Sequence, residues 1–175
     1  MHNKKIYFIC DLFKKDYIGG AELTTDSLIQ HAPSAFNIES IYSQNVTEEF
    51  LSKNINSLFI VGNFQNLNLK SKLFLIKNNL YSIVEYDYKF CKYRSLEKHK
   101  LTESTECDCV ENKENRINLL LYAHSDTIWF MSARQRSVFL DKLDFLKKEK
   151  TKVLNSVFSK EDLDFILKQD TSKKS

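Results

Sequence analysis

The sequence predicts an α/β fold, a Rossmann-like three-layer sandwich with a mostly parallel sheet of about six strands in a single domain. Short runs of β-branched and aromatic residues alternate along the chain with amphipathic stretches, which is the pattern of βα units that pack a parallel sheet between helices. The chain has 175 residues, of which 42% are hydrophobic and 28% charged, and this composition suits one soluble domain with one core.

The first part of the chain provides two strands and a helix. Residues 6–11 form the first predicted strand. Gly19-Gly20 then opens a helix that runs to about His31, and Pro33 ends it because proline cannot continue a helix. Residues 37–43 are a second, weaker strand candidate.

The central elements have clearer signals. Thr47 can cap a short helix, and residues 57–62 are a continuous apolar run of the kind found in buried central strands. Residues 69–79 have apolar side chains at helical spacing and are predicted as a helix. Residues 81–87 form the fourth strand, which ends on polar residues, so we expect a ligand at this end.

Periodicity disappears in residues 91–115, which are mostly polar or charged. A long excursion of this kind in a compact domain is usually functional, tied by a metal ion or disordered. Beyond it, residues 117–121 predict a short helix and residues 127–132 a fifth strand. A helix follows with Phe139 in its apolar stripe, and residues 152–157 are the sixth strand candidate.

One domain is therefore predicted for residues 1–170, with residues 171–175 as a solvated tail. The last helix begins after Ser159, whose hydroxyl can cap it. Its apolar residues are expected to dock it on the domain: Leu163, Ile166 and Leu167.

Charge and composition exclude several classes of protein. The 26 Lys and Arg residues against 23 Asp and Glu give a net charge of +3, evenly scattered, which does not provide the broad basic surface that nucleic acids need. The N-terminal apolar run stops at Asp11, too early for a signal peptide or a membrane span. We expect a cytoplasmic protein whose four cysteines are thiols or metal ligands rather than disulfides.

Three of the cysteines lie in the excursion together with one histidine, as Cys91, His99, Cys107 and Cys109. Three thiolates and an imidazole would suit a tetrahedral, structural Zn²⁺ ion that orders the excursion. The Cys-x-Cys spacing is less typical of zinc sites than Cys-x-x-Cys. The alternative is a set of ordinary free thiols in a mobile loop.

Gly19 and Gly20 lie between the first strand and the first helix, at the expected C-terminal edge of the sheet. Glycine lets a backbone approach an anion closely, and the N–H groups at a helix start favour negative charge. The alternative is a tight turn that needs a positive φ. The pair is neither a GxGxxG fingerprint nor a P-loop, so it indicates no dinucleotide or ATP site.

The segment Gly19-Gly20-Ala21-Glu22, followed by Leu28-Ile29, resembles the Gly-Gly-x-Glu segment in the first βα loop of family 4 retaining glycosyltransferases. Three later stretches fall in the order expected of that family's N-terminal domain: 83–88, 129–132 with Arg134 close by, and 153–158. The resemblance covers nearly the whole chain. It implies the acceptor-side half of a GT-B fold, in an enzyme that transfers a sugar from a sugar nucleotide to an acceptor hydroxyl.

The resemblance also implies roles for particular residues. Gly19 and Gly20 match the glycine loop that approaches the diphosphate of the donor. Family members place a polar group, often histidine, after the fourth strand; this chain has Asp87 there, the candidate catalytic residue for binding or deprotonating the acceptor hydroxyl. Alternatively, Asp87 only caps the turn that leaves the strand. The candidate acceptor-binding residues are Glu22, Tyr86 and Arg134.

The second Rossmann-like domain, which in the family holds the sugar nucleotide, is absent from this sequence. We therefore expect no sugar transfer by this chain alone, and a separate C-terminal domain or a second copy of the chain as its partner. A hypothesis from a different class is a non-catalytic, zinc-stapled binding or assembly module. A third is a different Rossmann-like enzyme that uses the same sheet edge, because a fold does not fix its chemistry.

Overall fold

The computed structural model describes residues 4–172, which form six strands and seven α-helices. The strands are β1 (Lys4–Cys10), β2 (Phe36–Tyr42), β3 (Leu58–Val61), β4 (Leu80–Glu85), β5 (Ile128–Phe130) and β6 (Thr151–Val153). The helices are α1 (Gly20–Gln30), α2 (Glu48–Lys53), α3 (Leu69–Asn78), α4 (Leu96–Glu103), α5 (Arg116–His124), α6 (Ala133–Lys142) and α7 (Lys160–Ser172).

All six strands pair in parallel, in the order β2-β1-β3-β4-β5-β6. The predicted α/β fold with a parallel sheet of about six strands is confirmed. The order reverses between β1 and β3, since β2 lies on one side of β1 and every later strand on the other. Ligands of such sheets bind beside this reversal, at the carboxyl ends of the strands. The loops after β1 and β3 therefore occupy the place where a binding site is expected.

One face of the sheet carries the main core. Alternate residues of β1, β3, β4 and β5 point to this face and pack against α2, α3, α5 and α6. Phe139 of α6 lies at the centre, with its ring centroid 4.8 Å from that of Phe130, 4.9 Å from Phe90 and 5.4 Å from Tyr122. The residues before and within the excursion therefore share one core with the sheet.

The opposite face of the sheet is only partly covered by the described residues. Leu28 and Ile29 of α1 pack there. Beside α1 lies an open apolar groove of about 520 Å³, and none of the described side chains of α7 lines it. Its apolar floor and walls include Ile6, Phe8, Leu28, Ile60, Leu80 and Trp129.

The last helix begins where it was predicted to begin. The Ser159 hydroxyl accepts the N–H of Asp162 at 3.1 Å, and the Asp162 carboxylate pairs with Lys14 at 2.7 Å. The predicted docking stripe is wrong, because Leu163 is 46% and Ile166 44% exposed. An apolar stripe shows that a helix is amphipathic but does not show which surface covers it. Residues 171–172 belong to α7, and residues 1–3 and 173–175 of the predicted domain and tail lie outside the described residues.

The excursion of residues 91–115 is folded, although no periodicity predicted it. It contains α4, whose first N–H groups are capped by the Ser95 hydroxyl, which accepts from Lys98 at 3.2 Å. In α4 only His99 is buried. A helix that buries one polar residue has no apolar stripe, so pattern analysis does not detect it.

Among the described residues, no helix combines the length and the apolar character that crossing a membrane requires.

Gly62, which directly follows β3, is a position where we expect any side chain to destabilise the fold. A Cβ atom there would lie 2.6 Å from the Sγ of buried Cys10 and 3.0 Å from the Tyr86 ring. We expect Gly62→Ala to lower the free energy of unfolding by about 1–3 kcal/mol, measured by urea denaturation. Gly20→Ala is the matched control, because a Cβ at Gly20 meets no atom within 4 Å. Equal stability of the two variants would contradict this packing.

Candidate functional site

Four side chains of the excursion converge in the folded chain: Cys91, His99, Cys107 and Cys109. Their ligand atoms lie within 4.8 Å of one another, and all four residues are buried. The Nδ1 atom of His99 lies 3.6 Å from the Sγ atoms of both Cys91 and Cys109. Three thiols and one imidazole at these separations can hold a metal ion such as zinc.

The local structure supports these ligands. His99 lies in α4. The Nε2 atom of His99 faces the Asp108 carboxylate at 4.0 Å, which leaves its Nδ1 atom for the metal. Lys142 of α6 donates a hydrogen bond of 3.0 Å to the carbonyl oxygen of Cys107. The cluster is therefore attached to the main core rather than placed in a loop without a core.

All four cysteines are free thiols. Burial, together with the neighbouring thiols of Cys91 and Cys109, raises the pKa of Cys107 to about 12. A divalent cation reverses this effect because a coordinated thiol loses its proton. The donor set therefore fits a metal that binds thiolates, and such a metal would be bound by protein atoms alone.

The glycine pair lies at the start of α1. Gly19 is the N-cap, with φ −133° and ψ 171°, and Gly20 is the first helical residue. Neither glycine has a positive φ, so the alternative of a turn that needs one is wrong. A Cβ at Gly20 would meet open space, so the fold does not require glycine at this position.

Two of the candidate acceptor-binding residues lie together beside α1. Glu22 is buried in its first turn and interacts electrostatically with Tyr86. The Tyr86 hydroxyl forms a hydrogen bond of 2.5 Å with the Thr25 hydroxyl and ties the end of β4 to α1, and burial raises the pKa of Tyr86. Arg134 is separate from this pair: it is exposed at the start of α6, where it interacts electrostatically with Tyr88.

Asp87 follows β4, and its carboxylate contacts two cations that the sequence analysis missed. Arg94 donates from Nε to Oδ2 at 2.7 Å, and the Nζ atom of Lys89 lies 3.5 Å from Oδ1. Arg94 also donates from Nη2 to Asn63 at 2.9 Å, and Gln135 donates to the Asp87 carbonyl at 2.7 Å. The Asp87 carboxylate is bound by side chains, so it is held in one orientation at the carboxyl end of the parallel strands.

Beneath Asp87 lies an ion pair from which water is excluded. The Nζ atom of Lys89 is 2.7 Å from Glu85, and their side chains are 3% and 0% exposed. Glu85 also accepts a hydrogen bond from Tyr122, and burial raises the pKa of both Glu85 and Tyr122. A charged residue inside a predicted buried strand needs a partner, and this signal could have identified Glu85 from the sequence.

Asp11, directly after β1, is a second carboxylate that the sequence analysis did not assign. It accepts the backbone N–H groups of Gln65 and Asn66, both at 3.0 Å, and the hydroxyl of Ser43. Asp11 therefore joins the loops that follow β1, β2 and β3. It fixes the backbone at the point where the strand order reverses.

In comparisons with known proteins, no family model and no curated protein matches this chain. The resemblance to family 4 glycosyltransferases therefore depends on the sequence motifs alone. The roles assigned to Gly19, Gly20, Glu22, Tyr86 and Asp87 stay predictions.

We expect the purified chain to bind one zinc ion. Native mass spectrometry before and after a chelator should show one metal per chain, and its removal should make residues 91–115 sensitive to proteases, because the ion ties them together. Cys107→Ser should prevent stoichiometric binding. Cys10→Ser, which replaces the buried thiol outside the cluster, is the matched control and should retain it. A metal-free chain with an equally resistant segment would contradict the zinc site.

Proposed function

We propose that this chain is the acceptor-side domain of a sugar-nucleotide-dependent retaining glycosyltransferase, with a structural zinc ion at Cys91, His99, Cys107 and Cys109. The observation that carries this proposal is the glycine at position 20. Glycine favours a helix less than alanine does, and no neighbouring atom excludes a side chain there. The absence of a side chain at position 20 would therefore leave an open approach there, whereas Glu22 and Tyr17 lie against Gly19.

A diphosphate is the ligand that this approach suits. The first N–H groups of a helix have no partner within it, and they carry the positive end of the helix dipole. Gly19 as the N-cap has no side chain with which to bind them. The loop also lies at the carboxyl end of β1, beside the reversal of strand order, so it is placed to face a donor across a cleft.

The acceptor would bind at the end of β4. The Asp87 side chain is 25% exposed, and the Arg94 guanidinium already balances its charge, since Lys89 pairs with Glu85. We therefore assign it to orienting an acceptor hydroxyl through a hydrogen bond in preference to removing the proton. Glu22 and Tyr86 border the same edge from the side of α1, and Arg134 would contact a more distant part of the acceptor.

Transfer would need a partner that holds the nucleotide. A separate C-terminal domain is the partner that the resemblance implies, and this chain alone should neither transfer nor hydrolyse the sugar. The cytoplasm is the proposed location, because a reducing compartment keeps four free thiols available for metal binding.

The diphosphate assignment is tested with inorganic pyrophosphate added to the zinc-loaded, ¹⁵N-labelled chain. We expect saturable shifts of the amide signals of residues 19–22, with weak affinity because the partner is missing. Gly20→Val fills the open space and should remove these shifts. The matched control is Ala133→Val at the start of α6, where the Ser132 hydroxyl already accepts the N–H of Gln135. Shifts that do not saturate, or that are equal at both helix starts, would argue against the diphosphate site.

A second candidate, a non-catalytic assembly module, is favoured by the open apolar groove beside α1. The same chain offers an exposed apolar helix in α7, and an amphipathic helix can occupy such a groove. This candidate predicts that a second copy of the chain covers the groove. Sedimentation velocity should then show a dimer that Ile166→Asp dissociates, whereas Asp164→Asn, on the same helix, leaves it intact. A monomer at all concentrations would exclude this candidate.

A further inference from the structure

Arg94 lies between two of the metal ligands along the chain and is fixed from both sides. Its N–H donates to the Cys91 carbonyl at 2.9 Å, and the Cys91 N–H donates to the Tyr88 carbonyl at 2.8 Å. The next residue, Ser95, caps the helix that carries His99. The backbone of Arg94 is therefore part of the framework that presents two metal ligands.

This backbone conformation needs support from the rest of the structure. Arg94 has a φ of +56°, in the left-handed region that a residue with a Cβ atom seldom adopts. Such a conformation persists where the surrounding structure holds it in place. The Tyr88 N–H donates to the Arg94 carbonyl at 3.3 Å, and coordination of Cys91 and His99 on either side of Arg94 would add to this support.

The side chain of Arg94 extends away from the candidate metal ligands and reaches the carboxyl ends of β3 and β4. Its guanidinium binds the Asp87 carboxylate after β4 and the Asn63 side chain after β3. Both contacts come from the Arg94 guanidinium, whereas Lys92 and Lys100 pair with acidic residues of the excursion itself. Arg94 thus connects the metal cluster to the proposed acceptor site.

We propose that the metal ion controls whether the Arg94 guanidinium stays bound to the Asp87 carboxylate. With the metal bound, the turn Cys91–Arg94 holds the guanidinium on this carboxylate; without it, Arg94 withdraws and Asp87 is left with Lys89 alone. Arg94 is then a positioning residue whose effect depends on the metal. The inference rests on the zinc site of the proposed function. It adds that the ion acts on the proposed acceptor site at the end of β4 as well as on the stability of the excursion.

The coupling can be measured from the metal side, because an equilibrium coupling between two sites is reciprocal. If zinc holds Arg94 on Asp87, then loss of this ion pair must weaken zinc binding. We would measure zinc affinity of the full chain by competition with a chromophoric chelator for the native protein, Arg94→Ala, Asp87→Ala and the double variant. Arg116→Ala, an exposed arginine at the start of α5, is the matched control.

We expect each single variant to bind zinc about 5- to 150-fold more weakly, and the double variant to bind it no more weakly than the worse single variant. The control should stay within about twofold of the native protein, since surface changes have small effects. Unchanged affinity in Arg94→Ala, or effects that multiply in the double variant, would overturn the coupling. No zinc binding by the native protein would instead overturn the zinc site itself.

A second measurement keeps the inference testable if Arg94→Ala does not fold. In the zinc-loaded native protein, the Arg94 Nε–H signal in an NMR spectrum should exchange slowly with solvent, because it is hydrogen-bonded to Asp87. Chelation should abolish this protection while the amides of β1 and β3 stay protected. Protection of Arg94 that survives chelation would show that the metal does not hold the contact.

Discussion

Glu85 and Lys89 form an ion pair where β4 leaves the sheet, and solvent is excluded from it. Two charges are expensive to bury, and a buried pair is tolerated when further hydrogen bonds complete it. Tyr122 of α5 and the N–H of Asp87 supply them. Removal of one partner of such a pair lowers the free energy of unfolding by about 3–5 kcal/mol. Because the two partners are four residues apart, the pair also constrains the backbone between them at the end of β4. Asp87 is fixed by this constraint, and Arg94 in turn binds Asp87.

The cluster of Cys91, His99, Cys107 and Cys109 links the excursion to the same core. Residues 91–115 are rich in charge and would not bury enough apolar surface to fold alone. The three cysteines pack against the aromatic core around Phe139, while His99 brings α4 to them. A metal ion there would replace the missing apolar contacts by coordination bonds, which is how small metal-dependent units reach stability.

The two halves of the proposed binding edge are joined by specific hydrogen bonds. The Tyr86 to Thr25 bond holds α1, with its glycine pair, against the end of β4. Asp11 holds the loop after β3 through the backbone N–H groups of Gln65 and Asn66. Rigid support of this kind would keep the proposed donor and acceptor sites in a fixed relation, which the proposed transfer between two substrates requires. The open apolar groove beside α1 is a separate surface on the opposite face of the sheet from the main core.

Local chemistry allowed the sequence to determine the fold class, the strands and several helix starts. Alternating apolar runs specify a parallel sheet because each run must be buried on both faces, and Thr47 and Ser159 cap helices through bonds that span three residues. The four candidate metal ligands were identifiable because thiol and imidazole chemistry is a property of residue type. Only the tertiary structure decided that Arg94 binds Asp87, that α4 exists and that α7 stays exposed. Arg94 and Asp87 are only seven residues apart. They lie in irregular segments, however, and neither periodicity nor propensity encodes which side chains meet when such segments pack against the sheet.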